Sequence, residues 1–163
     1  MFCDGIAIDG IWRIFCLSVW DREKAFQLFT KGISVLVIAY TFYGVMYYSG
    51  LNTKTDEVRS YYRSVHPVMR VALTTITLVN SDMVVTDIQR TPEDYDQMGL
   101  PENQQSLHYV QSSGYVHAID LRTKGKPEWI NYGLRFTYRV LGLSTIRHYG
   151  TADHLHVYLP VNQ

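Results

Sequence analysis

A chain of 163 residues has room for one domain of ordinary size and a short appendage. Lysine and arginine balance aspartate and glutamate at 15 each, so no polyanion such as nucleic acid is expected as a partner. The 13 tyrosines argue against disorder, and the two cysteines, Cys3 and Cys16, make neither a disulfide framework nor a Cys-x-x-Cys metal site.

Ile6 to Trp20 is apolar and aromatic, broken by Asp9 and Arg13, with Ile8, Ile11, Trp12, Phe15 and Val19 at helical spacing. It reads as an amphipathic helix at a membrane interface. Asp21 to Lys24 is a charged break. Between Lys31 and Lys54 lie 22 residues without a charge. At ~1.5 Å per residue they make about 33 Å of helix, enough for a hydrocarbon core about 30 Å thick. Tyr47 and Tyr48 at one end, with Trp20 and Lys31 near the other, suit interfacial anchors. The expectation is a membrane contact through residues 32–50. The competing reading is a buried helix of a soluble protein or a β-rich core segment. The apolar run starts too far from Met1 and lacks a small-x-small site, unlike a cleavable signal peptide. Arg13, Arg22, Lys24 and Lys31 before the span and Lys54, Arg59 and Arg63 after it favour a single-pass topology with the C-terminal domain outside the cytoplasm.

Residues 1–53 thus form an N-terminal segment, and 54–163 a second domain. Asp56 to Leu78 is helical, with a break at His66 and a fresh start at Pro67, because proline restricts the residue before it and is suited to a first helical turn. Met83 to Ile88 is β-branched and alternating, hence a strand. Thr91 can cap a turn beginning at Pro92. Glu93 to Gln105 is a polar loop with one helical turn at most. Tyr115 to Leu121 is a second strand carrying His117 and Asp120. Trp129 to Gly142 is helical, its buried stripe assigned to Trp129, Tyr132, Leu134, Phe136, Val140 and Leu141. Trp129 and the tyrosines read as core or membrane-interface residues. Leu143 to Tyr149 leads into a last strand, His154 to Leu159. The fold class is α+β: a small antiparallel sheet flanked by helices, preceded by the N-terminal hydrophobic helix.

The chemistry concentrates in Asp153, His154 and His156. Alternate side chains of a strand share a face, so His154 and His156 point the same way. Imidazole is the commonest ligand for zinc and similar ions. A carboxylate just before a ligand histidine is placed to take a proton from a metal-activated water. Catalytic zinc commonly takes three protein ligands and leaves a position for water. His108, Asp120 and His156 can supply two nitrogens and one oxygen, with His117 as a rival to His108. His66 reads as structural beside Pro67, and His148 has no assigned role.

The order of motifs resembles a known family. The strand Val84 to Glu93 contains Arg90-Thr91; Ser106-Leu107-His108 follows; then come Gly114 to Leu121 with Asp120, and Asp153 to His156. This is similar to the zinc peptidases of peptidoglycan, the D-alanyl-D-alanine carboxypeptidases and the L-alanyl-D-glutamate endopeptidases of phage endolysins, over roughly residues 58–160. The resemblance implies zinc on His108, Asp120 and His156, Asp153 as general base and Arg90 steadying a polarised carbonyl. Ser106 would stand beside the first ligand and His154 would orient a ligand or line the pocket. The implied substrate is a peptidoglycan stem peptide, cut near a D-residue. One spacing departs from the family. Its first histidine lies seven residues before the aspartate, where this chain has Ser113, and His108 lies twelve before. Gly114 is displaced too, six before Asp120 instead of four. Either a segment such as Tyr109 to Ser113 is inserted and bulges outward, or the ligand is lost. In the second case the chain is an inactive structural or wall-binding protein of a membrane or virion assembly.

Overall fold

The computed structural model describes residues 10–46, 52–99, 101, 103–150 and 152–160, with side chains in the first helix from residue 21 onward. Tyr47, Tyr48 and Thr151, the side chains of Trp12 and Trp20, and the span's last residues therefore lie outside the described residues. The chain divides into two compact units, 1–42 and 43–163.

The first unit is a helix. α1 runs unbroken over Gly10–Met46, so Asp21 to Lys24 do not separate two segments as expected. The four charged residues occupy about one turn of a helix that continues through them, and charge alone does not end one. The stretch Asp21–Met46 is long and apolar enough to cross a membrane. Phe26, Phe29, Leu36 and Ile38 are exposed.

The second unit is an α+β domain. Its sheet has five strands: β1 (Asn52–Thr53), β2 (Val84–Asp87), β3 (Ala118–Arg122), β4 (Ser144–His148) and β5 (His154–Tyr158), in the order β1-β2-β3-β5-β4. Only the β1–β2 pair is parallel. β4 was not anticipated. α2 (Asp56–Ser60) starts at Thr55, whose hydroxyl accepts from the Val58 N–H. α3 (Pro67–Val79) starts where Pro67 was expected to start it, capped by His66 Nδ1 accepting from the Val68 N–H. α4 (Pro92–Gln97) is the single short helix after Thr91, closed by a reciprocal Thr91–Asp94 box.

Alternation along the strands makes the core. Ile119 and Leu121 of β3 and Leu155 and Val157 of β5 share one face with Met69, Leu73 and Ile76 of α3 and Leu134 and Tyr138 of α5 (Glu128–Val140). The α5 stripe differs from expectation. Asn131, Leu134 and Tyr138 turn inward, whereas Trp129, Tyr132, Phe136 and Val140 are exposed. The last turn of α1, which belongs to this unit, is fixed against α3. Gly44 comes so close to Val71 and Thr74 that a Cβ there would lie 3.3 Å from the Thr74 hydroxyl. Its orphan C-terminal carbonyls find side-chain donors: Tyr62 Oη to Gly44 O (2.6 Å) and Arg70 to Val45 O (2.6 Å).

Candidate metal centre

β3 and β5 pair with Asp120 directly opposite His156, and β4 adds Ile146 beside His156 and His148 beside His154. The sheet face opposite the core therefore carries Asp120, His148, His154 and His156 together. A β-bulge between Val85 and Asp87 shifts β2 by one residue and brings Asp87 opposite Asp120.

His108 arrives by a separate route. The segment 106–108 lies between the end of β2 and the approach to β3: the Arg90 N–H donates to His108 O (3.1 Å) and the His117 N–H to Leu107 O (3.0 Å). Ser106 shapes it. Its hydroxyl accepts from Tyr95 Oη (2.7 Å) and from the His108 N–H (3.3 Å). Residues 110–116 then form a small hairpin, with Val110 bridged to Val116 and Gly114 at φ +78°. That conformation favours glycine. The hairpin takes up the extra residues, so a histidine twelve positions before Asp120 still reaches it.

The result is one compact group. His156 Nδ1 is 2.8 Å from Asp120 Oδ1, His108 Nε2 is 3.4 Å from the same oxygen, and the two ring nitrogens are 3.3 Å apart. All three ligand atoms lie within 4.8 Å of one another, and the group could hold a metal ion. His108 and Asp120 are buried and His156 is half-buried. His108 Nδ1 lies 2.7 Å from the Ile88 carbonyl. A carbonyl only accepts, so Nδ1 carries a hydrogen, and Nε2 is the nitrogen turned towards the group. Burial opposes the charge on Asp120, but hydrogen bonds from His108 and His156 and their positive character hold its carboxyl well below the usual range.

Arg90 is bound into this group. Its guanidinium donates to Asp120 Oδ2 (2.7 Å) and to Asp87 Oδ2. Arg90 thus fixes the second oxygen of the carboxylate, and its head is engaged by two acids. His154 faces the same side, with Nε2 3.8 Å from Asp120 Oδ2 and Nδ1 donating to the Ala152 carbonyl (2.6 Å). His148, given no role from sequence, stacks on His154 at 4.8 Å. Burial first, then His154 and His156, lower its proton affinity. The cross-strand register would have revealed His148, had β4 been recognised. An open cleft of about 1120 Å³ includes all these residues in its walls.

Two expected site residues are bonded to other partners. His117 is one residue before β3, and its parity sends it away from Asp120. It pairs with the Ser113 hydroxyl (2.7 Å) and packs against His66 (5.0 Å), so it is not a rival ligand. Ser113, at the spacing the family reserves for a ligand, is likewise occupied away from the group. Asp153 lines the cleft too, but its carboxylate is taken up on the side of the sheet where Leu155 packs. It accepts two hydrogen bonds from Arg147 (3.0 and 2.8 Å) and one from Thr123 (2.6 Å). These partners, Arg147 foremost and against the effect of burial, keep its carboxyl acidic. An acid so held is a poor proton acceptor.

The chain matches no protein-family model, no curated protein and no solved structure.

Proposed function

We propose that the chain is a membrane-anchored, zinc-dependent peptidase that hydrolyses stem-peptide bonds of peptidoglycan near D-amino acids. The observation that carries this reading is the convergence of His108, Asp120 and His156, three residues from distant parts of the chain, on one point at the floor of a cleft. Two imidazoles and a carboxylate suit zinc, and three protein ligands leave a position for substrate or water. Zinc in such a site acidifies a bound water and polarises a carbonyl.

The chain's own residues do the rest. The Ile88 carbonyl sets the His108 tautomer, and Arg90 with Asp87 holds Asp120 in orientation, leaving Oδ1 towards the imidazoles. The proton on His156 Nδ1 now shared with Asp120 Oδ1 is the one an ion would displace, so binding releases protons. With Asp153 turned away, the nitrogen placed to accept a hydrogen bond from water at the site is His154 Nε2. α1 would anchor the chain in a single pass, with the domain outside the cytoplasm.

One observation favours a second reading, a metal-bearing but inactive wall-binding protein of a membrane or virion assembly: Asp153, the expected base, is saturated by Arg147 and Thr123. The test uses the full-length chain in detergent. Elemental analysis should find one zinc per chain, and mass spectrometry should show loss of D-alanine from, or cleavage within, isolated muropeptides. His108→Ala should lose both, and His117→Ala neither. Zinc without cleavage selects the second reading; a chain that takes up no zinc overturns the peptidase and leaves the inactive protein whose ligand is lost.

A further inference from the structure

The outward face of α5 is the feature that neither the core nor the cleft uses. Trp129, Tyr132, Phe136 and Val140 stand at spacings of three, four and four residues, so they form one stripe along the helix. They are 74%, 62%, 70% and 68% exposed. Four large side chains left this open on one helix mark a binding surface more than scattered exposure. Their chemistry narrows the occupant. Trp and Tyr combine an apolar ring with a polar edge and concentrate at membrane–water boundaries.

Charge narrows it further. The only acid on α5 is Glu128, and both its oxygens accept from Arg147 (2.9 Å each). The helix's other charges are Arg135 and Arg139, neither with an ion-pair partner among the described residues. Lys126 stands just before the helix. Two copies meeting through this face would bring Arg135 and Arg139 of each together, with Glu128 as the only acid on the helix and already bound to Arg147. An anionic lipid surface supplies the opposite charge. The same polypeptide also carries a helix long and apolar enough to cross a membrane, so a bilayer would be at hand.

We propose that α5 is an interfacial membrane-docking helix: Trp129, Tyr132, Phe136 and Val140 enter the headgroup–acyl boundary while Arg135, Arg139 and Lys126 engage anionic headgroups. This docking does not depend on hydrolysis or on metal in the cleft. Each basic residue near an anionic surface raises the ratio of docked to undocked chains about fivefold.

The experiment uses the full-length chain with Cys3 and Cys16 replaced by serine, reconstituted in vesicles of phosphatidylcholine with phosphatidylglycerol, or of phosphatidylcholine alone. A nitroxide is attached at Phe136→Cys, in a second sample at Tyr132→Cys, and in a control at Gln97→Cys on α4. Collision with oxygen and with a water-soluble nickel chelate reports depth. In anionic vesicles labels at 132 and 136 should be favoured by oxygen and shielded from nickel, while the label at 97 stays aqueous. Arg135→Gln with Arg139→Gln should lower the ratio of docked to undocked chains about 25-fold, from two such factors. Aqueous values at both 132 and 136 would overturn the proposal. So would spin–spin broadening between labels at 136 on different chains, which would assign the stripe to a second copy.

Discussion

The two faces of the sheet are built from alternate residues of the same strands and carry opposite chemistry. On one face Ile119, Leu121, Leu155 and Val157 are fully buried against α3 and α5. On the other, Asp120, His154 and His156 meet His148 and His108 at the cleft. Nothing but the period of two separates them. Asp153 and His154 are neighbours in sequence, yet one joins Arg147 under the sheet and the other looks at Asp120 above it. The lesson is that the metal group is mounted on a rigid base: Asp120 and His156 are cross-strand partners, and the residues flanking each are core. Stability and ligand binding should therefore respond to different substitutions, one residue apart.

The largest effect should come from the centre of the polar face. Asp120 contributes the oxygen nearest both imidazoles, and it also neutralises Arg90. Asp120→Ala should weaken zinc by about 1000-fold or more, beyond the 10–100-fold typical of losing a ligand's partner. Competition titration with a chromophoric chelator measures it. Retained tight binding would mean that the two imidazoles bind without the carboxylate.

The next effect belongs to the core face. Leu155→Ala removes a fully buried side chain and should cost about 2–5 kcal/mol. Thermal unfolding in detergent should register the loss. The zinc affinity of the folded fraction should stay within about threefold, because the Leu155 side chain points to the face opposite Asp120 and His156. A parallel collapse of zinc binding would show that the two faces are coupled through β5.

Much of the arrangement was legible from residues alone. The His-x-His spacing put His154 and His156 on one face, and the strand around Asp120 supplied the opposite partner. Pro67 and Thr91 marked helix starts because their backbone chemistry is local. What was not legible depended on contacts distant in sequence. His108 reaches Asp120 only because a hairpin closes over residues 110–116, and spacing alone could not distinguish that from a lost ligand. β4 was missed because Ser144 to His148 mixes polar and charged residues and gains its place by pairing with β5. On α5, large aromatics were assigned inward by type, although Asn131, Leu134 and Tyr138 hold those positions. The role for Asp153 came from its place just before His154 and from a resemblance, while alternation from His154 pointed its side chain to the other face.

The smallest of the three effects sharpens that last contrast. Asp153 receives three hydrogen bonds, and its side chain is 17% exposed beside an Arg147 side chain exposed by only 6%. Hydrogen bonds to a charged group of this kind are worth about 1.5–3 kcal/mol, so Asp153→Asn should destabilise by roughly that amount or less at pH 7. Zinc stoichiometry should be unchanged, because the carboxylate faces away from the group. The pH dependence has a definite sign. The folded-state proton affinity of Asp153 is depressed, by Arg147 first, against burial, and with help from Thr123. Its contribution is therefore complete above the unfolded carboxylate value near about 4 and disappears as pH falls from there through the folded value. Wild type and Asp153→Asn should differ most at neutral pH, and their melting curves should converge in acid. A variant as stable as wild type at pH 7 that has lost only hydrolysis would instead return Asp153 to the chemistry, and would require the residue just before β5 to turn over when substrate binds.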